Sequence, residues 1–184
     1  MFENDWITLG TTVKYDNPWI RVTEDQVINP SGNEGIYGLV HFKNFAVGVI
    51  PMDDDGNVYL VGQYRYALKE YSFEIPEGGG ALDIDPEISA RRELLEETGF
   101  TAEKLSLILV MHLSNSVSDE KAFVYLATGL KAGLSKPEET ENLTLRKYTL
   151  DEAYNMVNGH QLTDSMTVAG ITKLKLMQME NLLK

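Results

Sequence analysis

Hydrophobic positions in the first half of the chain recur with the period of strands. Trp19-Ile-Arg-Val-Thr-Glu-Asp-Gln-Val-Ile28 alternates loosely and is closed by Asn29-Pro-Ser-Gly-Asn33, a run of turn formers. Ile36–Phe42 returns as a second strand and Phe45–Ile50 as a third. Three aspartates and a glycine between Met52 and Asn57 predict a turn, because Asp and Asn bond their own backbone and Gly takes positive φ. Asn57–Tyr66 then completes a hairpin with the third strand. Beyond this the period lengthens. Asp85 suits a helix N-cap, with Pro86 at the first helical position and Gly99 just past the end. Apolar strands follow at Leu105–Met111, Ala122–Leu126 and Leu143–Tyr148. Thr149 and Glu152 have the spacing of a capping box for a short helix through Val157. Thr163 or Asp164 opens a last helix to the C-terminus, with Met166, Leu174 and Met177 on its buried face. The interleaving predicts an α/β domain on a mixed sheet, residues 45–184, preceded by a strand-rich region, residues 1–44.

Composition narrows the classes. Hydrophobic residues make up 43% of the 184 and charged residues 24%, ordinary for a chain with a packed core. Sixteen Lys and Arg stand against 28 Asp and Glu, a net charge of −12, and no Lys/Arg run occurs. Polynucleotide and anionic membrane surfaces are therefore disfavoured partners, since both demand a basic footprint. With no cysteine there is no disulfide, thiolate metal site or cysteine nucleophile. The acidic start lacks the apolar segment of a signal peptide, and the longest apolar stretch, around Leu105–Met111, is too short for a bilayer. The expected compartment is the cytoplasm. His41, His112 and His160 have no ligand spacing and read as structural. Trp19, Tyr37 and Phe42 are aromatic candidates for stacking on a nucleobase, against the ordinary reading of packed strand residues.

The chemistry concentrates between Glu74 and Phe100. At about 100° per residue, Glu93, Glu96 and Glu97 fall within an arc of roughly 100° on the helix, with Ile88, Leu94 and Leu95 elsewhere. Glu93 and Glu97 are one turn apart, a repulsive pair by themselves. Such a stripe makes sense if it shares divalent cations, because hard ions take oxygen ligands. Arg92, four residues before Glu96, offers partial neutralisation, and Gly78-Gly-Gly80 reads as a loop ahead of the helix that lets backbone approach backbone or phosphate closely. The competing reading is a solvated acidic face, which is common on helices of acidic proteins.

The wider context resembles the box of the Nudix hydrolase superfamily, G-x5-E-x7-R-E-U-x-E-E-x-G-U with U a bulky apolar residue. Gly78, Arg92, Glu93, Leu94, Glu96, Glu97, Gly99 and Phe100 occupy its positions. The first Glu of the pattern falls on Ile84, and Glu87 stands three residues on. The resemblance extends over almost the whole chain. The region before Phe45, together with Gln63-Tyr-Arg-Tyr66 and Glu74-Ile-Pro-Glu77, looks like the branch of ADP-ribose and nucleoside-diphosphate-sugar pyrophosphatases.

That resemblance implies an α/β/α sandwich with a mixed sheet, a small antiparallel N-terminal sheet, and a homodimer formed through it. It implies Mg²⁺, with Mn²⁺ as a substitute, held by Glu93, Glu96 and Glu97, by the Glu77 main-chain carbonyl and by Glu141. Arg65 would reach the substrate diphosphate, and Gly78 and Glu120 would line the substrate site. Glu74 would orient Arg92. Of two acidic loops, Ser114–Glu120 and Pro137–Leu143, the second would supply Glu139 to activate the attacking water, with Glu120 in the first as its rival. Asn115 stands where ADP-ribose specialists often carry Pro. The implied reaction is hydrolysis of the diphosphate of ADP-ribose or another nucleoside diphosphate sugar to a nucleoside monophosphate and a sugar phosphate. The alternatives are a nucleoside triphosphate or cap hydrolase on the same box, and a ligand-sensing domain without turnover.

Overall fold

The computed structural model describes residues 3–134 and 142–183. An N-terminal antiparallel sheet takes β1 (Ile7–Asp16), β2 (Ile20–Ile28) and β3 (Glu34–Phe42) in that order. β4 (Asn44–Pro51) enters a second, mixed sheet, ordered β7 (Glu77–Ala81), β4, β9 (Lys121–Ala132) and β8 (Phe100–His112), in which β4 and β9 run parallel. A third, antiparallel sheet has β10 (Thr144–Thr149), β5 (Asn57–Arg65) and β6 (Glu70–Glu74). The helices are α1 (Pro86–Thr98), α2 (Leu150–Asn158) and α3 (Ser165–Met179).

Strand β4 is apolar along its length because it is covered on both faces. Phe45, Val47 and Val49 pack with Ala90, Leu94 and Tyr125 beneath α1. The alternate positions Ala46 and Ile50 join Leu60, Ile75, Val124, Leu150, Ile171 and Leu174 in the core under α2 and α3. The result is an α/β/α sandwich with an antiparallel N-terminal sheet. No helix among the described residues is long and apolar enough to cross a membrane.

The helix ends follow the sequence. The Asp85 side chain accepts the Glu87 amide at 2.9 Å, and Gly99 closes α1 at φ 74°. Thr149 and Glu152 form the reciprocal capping box of α2. Asp164 caps α3, accepting the Thr167 amide at 2.7 Å.

Residues 7–16 add a ten-residue strand to those expected in the N-terminal region. Three expectations need correction. The segment at Phe45–Ile50 and the next strand do not form a ladder: they enter different sheets and share only the Met52–Val58 bridge. The glycines after Glu77 are not a loop. They form β7, paired antiparallel with β4 from Glu77↔Gly48 to Ala81↔Asn44. The last helix ends at Met179, short of the C-terminus.

Candidate active site

The all-glycine centre of β7 lets α1 approach the sheet closely. A Cβ on Gly78 would lie 2.2 Å from Glu93 Oε1, and one on Gly80 would meet Phe45 and Ser89. The acidic stripe of α1 therefore faces inward. Glu93 is 6% exposed and Glu97 4%, whereas the apolar Ile88 and Leu95 of the same helix point to solvent. A solvated acidic face is excluded. Burying ionised carboxylates is costly unless they are paired, hydrogen-bonded or bound to metal.

Part of that compensation comes from the protein. Arg92 Nη2 donates to Glu93 Oε1 at 2.6 Å and to Gly79 O at 2.7 Å, and its Nη1 donates to Glu96 Oε2 at 2.7 Å. Glu97 Oε2 accepts the Glu77 amide at 3.2 Å, tying the end of α1 to the start of β7.

A second knot forms between the sheets. Arg65, at the end of β5, donates from Nε to Glu74 Oε2 at 2.8 Å and from Nη2 to Glu74 and Glu77. Glu74, expected to orient Arg92, instead holds Arg65. The ladder pairs Arg65 with Glu70 and Glu74 with Val61, yet the Arg65 guanidinium reaches the Glu74 carboxylate from the neighbouring strand. Asp164, from the far end of the chain, completes the cluster, and carboxylate oxygens of Glu74, Glu77 and Asp164 lie within 4.8 Å of one another. Burial, reinforced by Asp164 and Glu74, pushes the Glu77 carboxyl well above its usual value despite Arg65. Its Oε2 is buried without a hydrogen-bond partner. Asp164 was legible only as a helix cap, since no spacing signal connects it to residues ninety positions earlier.

The two knots meet a cavity of about 310 Å³ between the N-terminal sheet and the sandwich. Arg65, Glu77, Gly78, Glu120 and Asp164 line it, with Trp19 and Phe42 from the N-terminal region. Arg65, Gly78 and Glu120 thus share one cavity. Glu93, Glu96 and Glu97 stand behind Gly78 on α1. Tyr37 is used elsewhere, packed edge-on against Trp6 and bonded to Ser116 O at 2.6 Å. Burial, and secondarily Asp119, raise the Glu120 carboxyl above its usual value. Glu139 and Glu141 lie outside the described residues.

The donor set fits a hard divalent cation. It consists of carboxylate oxygens in excess of guanidinium charge, one of them buried and unsatisfied, beside a glycine that leaves no room for a Cβ.

Fold and site together define an α/β sandwich with an acidic centre on one helix. Residues 43–166 match the model of the NUDIX domain, and residues 6–40 match that of the nucleoside diphosphate sugar hydrolase N-terminal domain. The chain belongs to the Nudix family, and it is a Nudix hydrolase. It is 33% identical over 178 residues to an ADP-ribose pyrophosphatase of Mycobacterium tuberculosis, covering 93% of this chain and 84% of that one. It is 36% identical over 133 residues to an ADP-ribose pyrophosphatase of Bacillus subtilis, covering 71% of this chain and 72% of that one. A crystal structure of an ADP compounds hydrolase superposes with a TM-score of 0.86 over 98% of both chains, at 17% identity, a likeness of fold.

Proposed function

We propose that the protein hydrolyses the diphosphate bond of ADP-ribose or another nucleoside diphosphate sugar, such as GDP-mannose, with Mg²⁺. The observation that carries this reading is the inward-facing stripe of Glu93 and Glu97 beside a cavity that also holds Arg65. The relatives named ADP-ribose pyrophosphatase support the substrate class.

Glu93, Glu96, Glu97 and the Glu77 carbonyl would hold the ion, with Glu141 as a further ligand. Mg²⁺ or Mn²⁺ would polarise a phosphoryl oxygen and acidify water there. Arg65 would place its planar fork on the diphosphate oxygens after exchanging part of its bond to Glu77. Arg92 holds Glu93 and Glu96 in place through its three bonds. Glu139 would take the proton of the attacking water, which adds to one phosphorus as the bridging P–O bond breaks. Glu120 would accept from hydroxyls of the substrate, and Trp19 or Phe42 would stack on its base. The products are a nucleoside monophosphate and a sugar phosphate.

The same proposal includes a division at residue 44, the cytoplasm as compartment, and a homodimer through the N-terminal strands. All ten residues of β1 are exposed, including Ile7, Leu9, Val13 and Tyr15, and three strands with so few buried side chains are marginal without a cover. Light scattering at micromolar concentration should give twice the chain mass, and a fully active monomer would refute the dimer.

A panel of Gln variants tests the acid–base roles. Glu139→Gln should lower kcat by about 10²–10³ with KM nearly unchanged, Glu141→Gln should raise the Mg²⁺ requirement, and Glu120→Gln should mainly shift KM. Abolished turnover in Glu120→Gln beside normal turnover in Glu139→Gln would move the base to the first loop. Faster release of pyrophosphate from nucleoside triphosphates than of sugar phosphate from nucleotide sugars would favour the triphosphatase alternative. Tight ligand binding without turnover would favour the sensing domain.

A further inference from the structure

Behind the cavity wall a hydroxyl, an imidazole and a carboxylate stand in line. The Thr23 hydroxyl lies 3.1 Å from His41 Nε2, and His41 Nδ1 lies 2.7 Å from Asp119 Oδ2. The other carboxylate oxygen of Asp119 accepts the Phe42 amide at 2.9 Å. Main-chain bonds run beside this row. Val40 N donates to Val117 O at 2.8 Å and Asp119 N to Val40 O at 3.3 Å, and Val40 and Ser118 form a parallel bridge. The connection between β8 and β9 is thus laid along β3 as a short addition to the N-terminal sheet.

The row has the composition of a nucleophilic triad, but Thr23 is 5% exposed, so substrate has no access to its hydroxyl. Its effect lies one residue further along each chain segment. Phe42 follows His41, and Glu120 follows Asp119; both line the cavity. A single bonded row therefore ties one wall of the cavity to the other. Asp119 meets β3 through its amide and both carboxylate oxygens, so little freedom is left for Glu120 beside it. Burial alone would raise the Asp119 carboxyl, yet the Phe42 amide and His41 hold it below its usual value, as for a carboxylate bonded in its charged form.

We propose that His41 is a positioning residue: through Asp119 it fixes Glu120 against the Phe42 wall, and so sets the affinity for the hydroxyl-bearing half of the substrate. This rests on the reading of the cavity as the nucleotide-sugar site. A buried or half-buried carboxylate recognises hydroxyl donors well and repels phosphate, so the clamp acts on sugar or ribose rather than on the diphosphate. It makes the N-terminal region part of substrate selection while the bond-breaking centre stays on α1.

The test uses the full chain with ADP-ribose and GDP-mannose at saturating Mg²⁺. His41→Ala should raise KM about five- to tenfold with kcat within about twofold, the size expected for losing a hydrogen bond to a charged group. His41→Asn keeps a side-chain N–H near the place of Nδ1 and should restore KM to within about twofold. Glu120→Ala should give a comparable rise, and the double variant should be no worse than either single one, because both act on one contact. Amide hydrogen exchange across residues 114–120 should accelerate in His41→Ala and return in His41→Asn, whatever the substrate. If His41→Ala does not fold, Asp119→Ala, at the exposed end of the row, carries the same expectations. Unchanged KM with unchanged exchange, additive effects with Glu120→Ala, or an equal fall in kcat would overturn the proposal. Accelerated exchange with neither compound hydrolysed by the wild type would leave the clamp standing and reject the substrate reading.

Discussion

Arg92 and Arg65 perform the same task by different routes. Each guanidinium bridges two carboxylates, Glu93 and Glu96 in one case and Glu74 and Glu77 in the other, and each knot borders the same cavity. The Arg92 knot is local: its acidic partners lie one and four residues away on α1, and only the Gly79 carbonyl comes from elsewhere. The Arg65 knot is tertiary. It draws on β5, β6, β7 and the cap of α3, and it brings Asp164 within reach of Glu74 and Glu77. The difference shows where robustness and tunability lie. A helix fixes the catalytic stripe by its own geometry, whereas side chains from three strands and a distant helix cap set the charge around Arg65.

The comparison can be broken most forcefully at the stripe. Glu97→Gln should lower kcat by about 10³ with the fold retained, since a ligand is lost while the Glu77 amide keeps an acceptor. Near-normal turnover at saturating Mg²⁺ would remove the helix from the chemistry. Arg65→Ala comes next. It leaves buried Glu74 and Glu77 facing Asp164 without their guanidinium, and should cost about 2–4 kcal/mol, less than a fully buried pair because Arg65 is one-third open to solvent. Chemical denaturation should show a larger loss than for Arg92→Ala; the reverse order would mean the tertiary knot is not the structural one. Asp164→Asn should have a smaller effect, because Asn caps α3 as well as Asp and removes one charge from beside Glu77. Its melting temperature should hold or rise, and a marked fall would show that the carboxylate, not the cap, stabilises this end.

The turn at residues 53–57 provides a control away from both arginines. Burial would raise the Asp53 carboxyl, but bonds from Asn57 and Lys147 hold it below the usual value of 3.8. A depressed carboxylate contributes stability that is complete above pH 3.8 and is lost as pH falls through the lower folded value. Acid unfolding curves should therefore flatten slightly in Asp53→Asn and keep their Asp53 component in the arginine variants. No change in slope would discount the turn.

Much of this was legible because it is local. Asp85, Pro86 and Gly99 bound α1, Thr149 and Glu152 mark α2, and the spacing of Glu93, Glu96 and Glu97 fixes their common face. Which way that face points was not legible, because Leu94 and Leu95 look equally fit for burial until the glycines of β7 admit the carboxylates. β7 read as a loop because glycine carries no alternation, and its pairing with β4 is a tertiary fact. Glu74 goes to Arg92 by family pattern, while in the fold the reach of the Arg65 side chain across β5 and β6 takes it. His41 read as structural; its consequence appears only once Asp119 is folded onto β3.

The most direct measurement is mass analysis of the products formed from ADP-ribose and GDP-mannose in ¹⁸O-water with Mg²⁺. The account predicts a nucleoside monophosphate and a sugar phosphate in equal amounts, with one ¹⁸O in one of the two, and none of either in Glu97→Gln on the same time scale. Intact nucleotide sugars after incubation with the wild type, or products formed equally fast by Glu97→Gln, would contradict it.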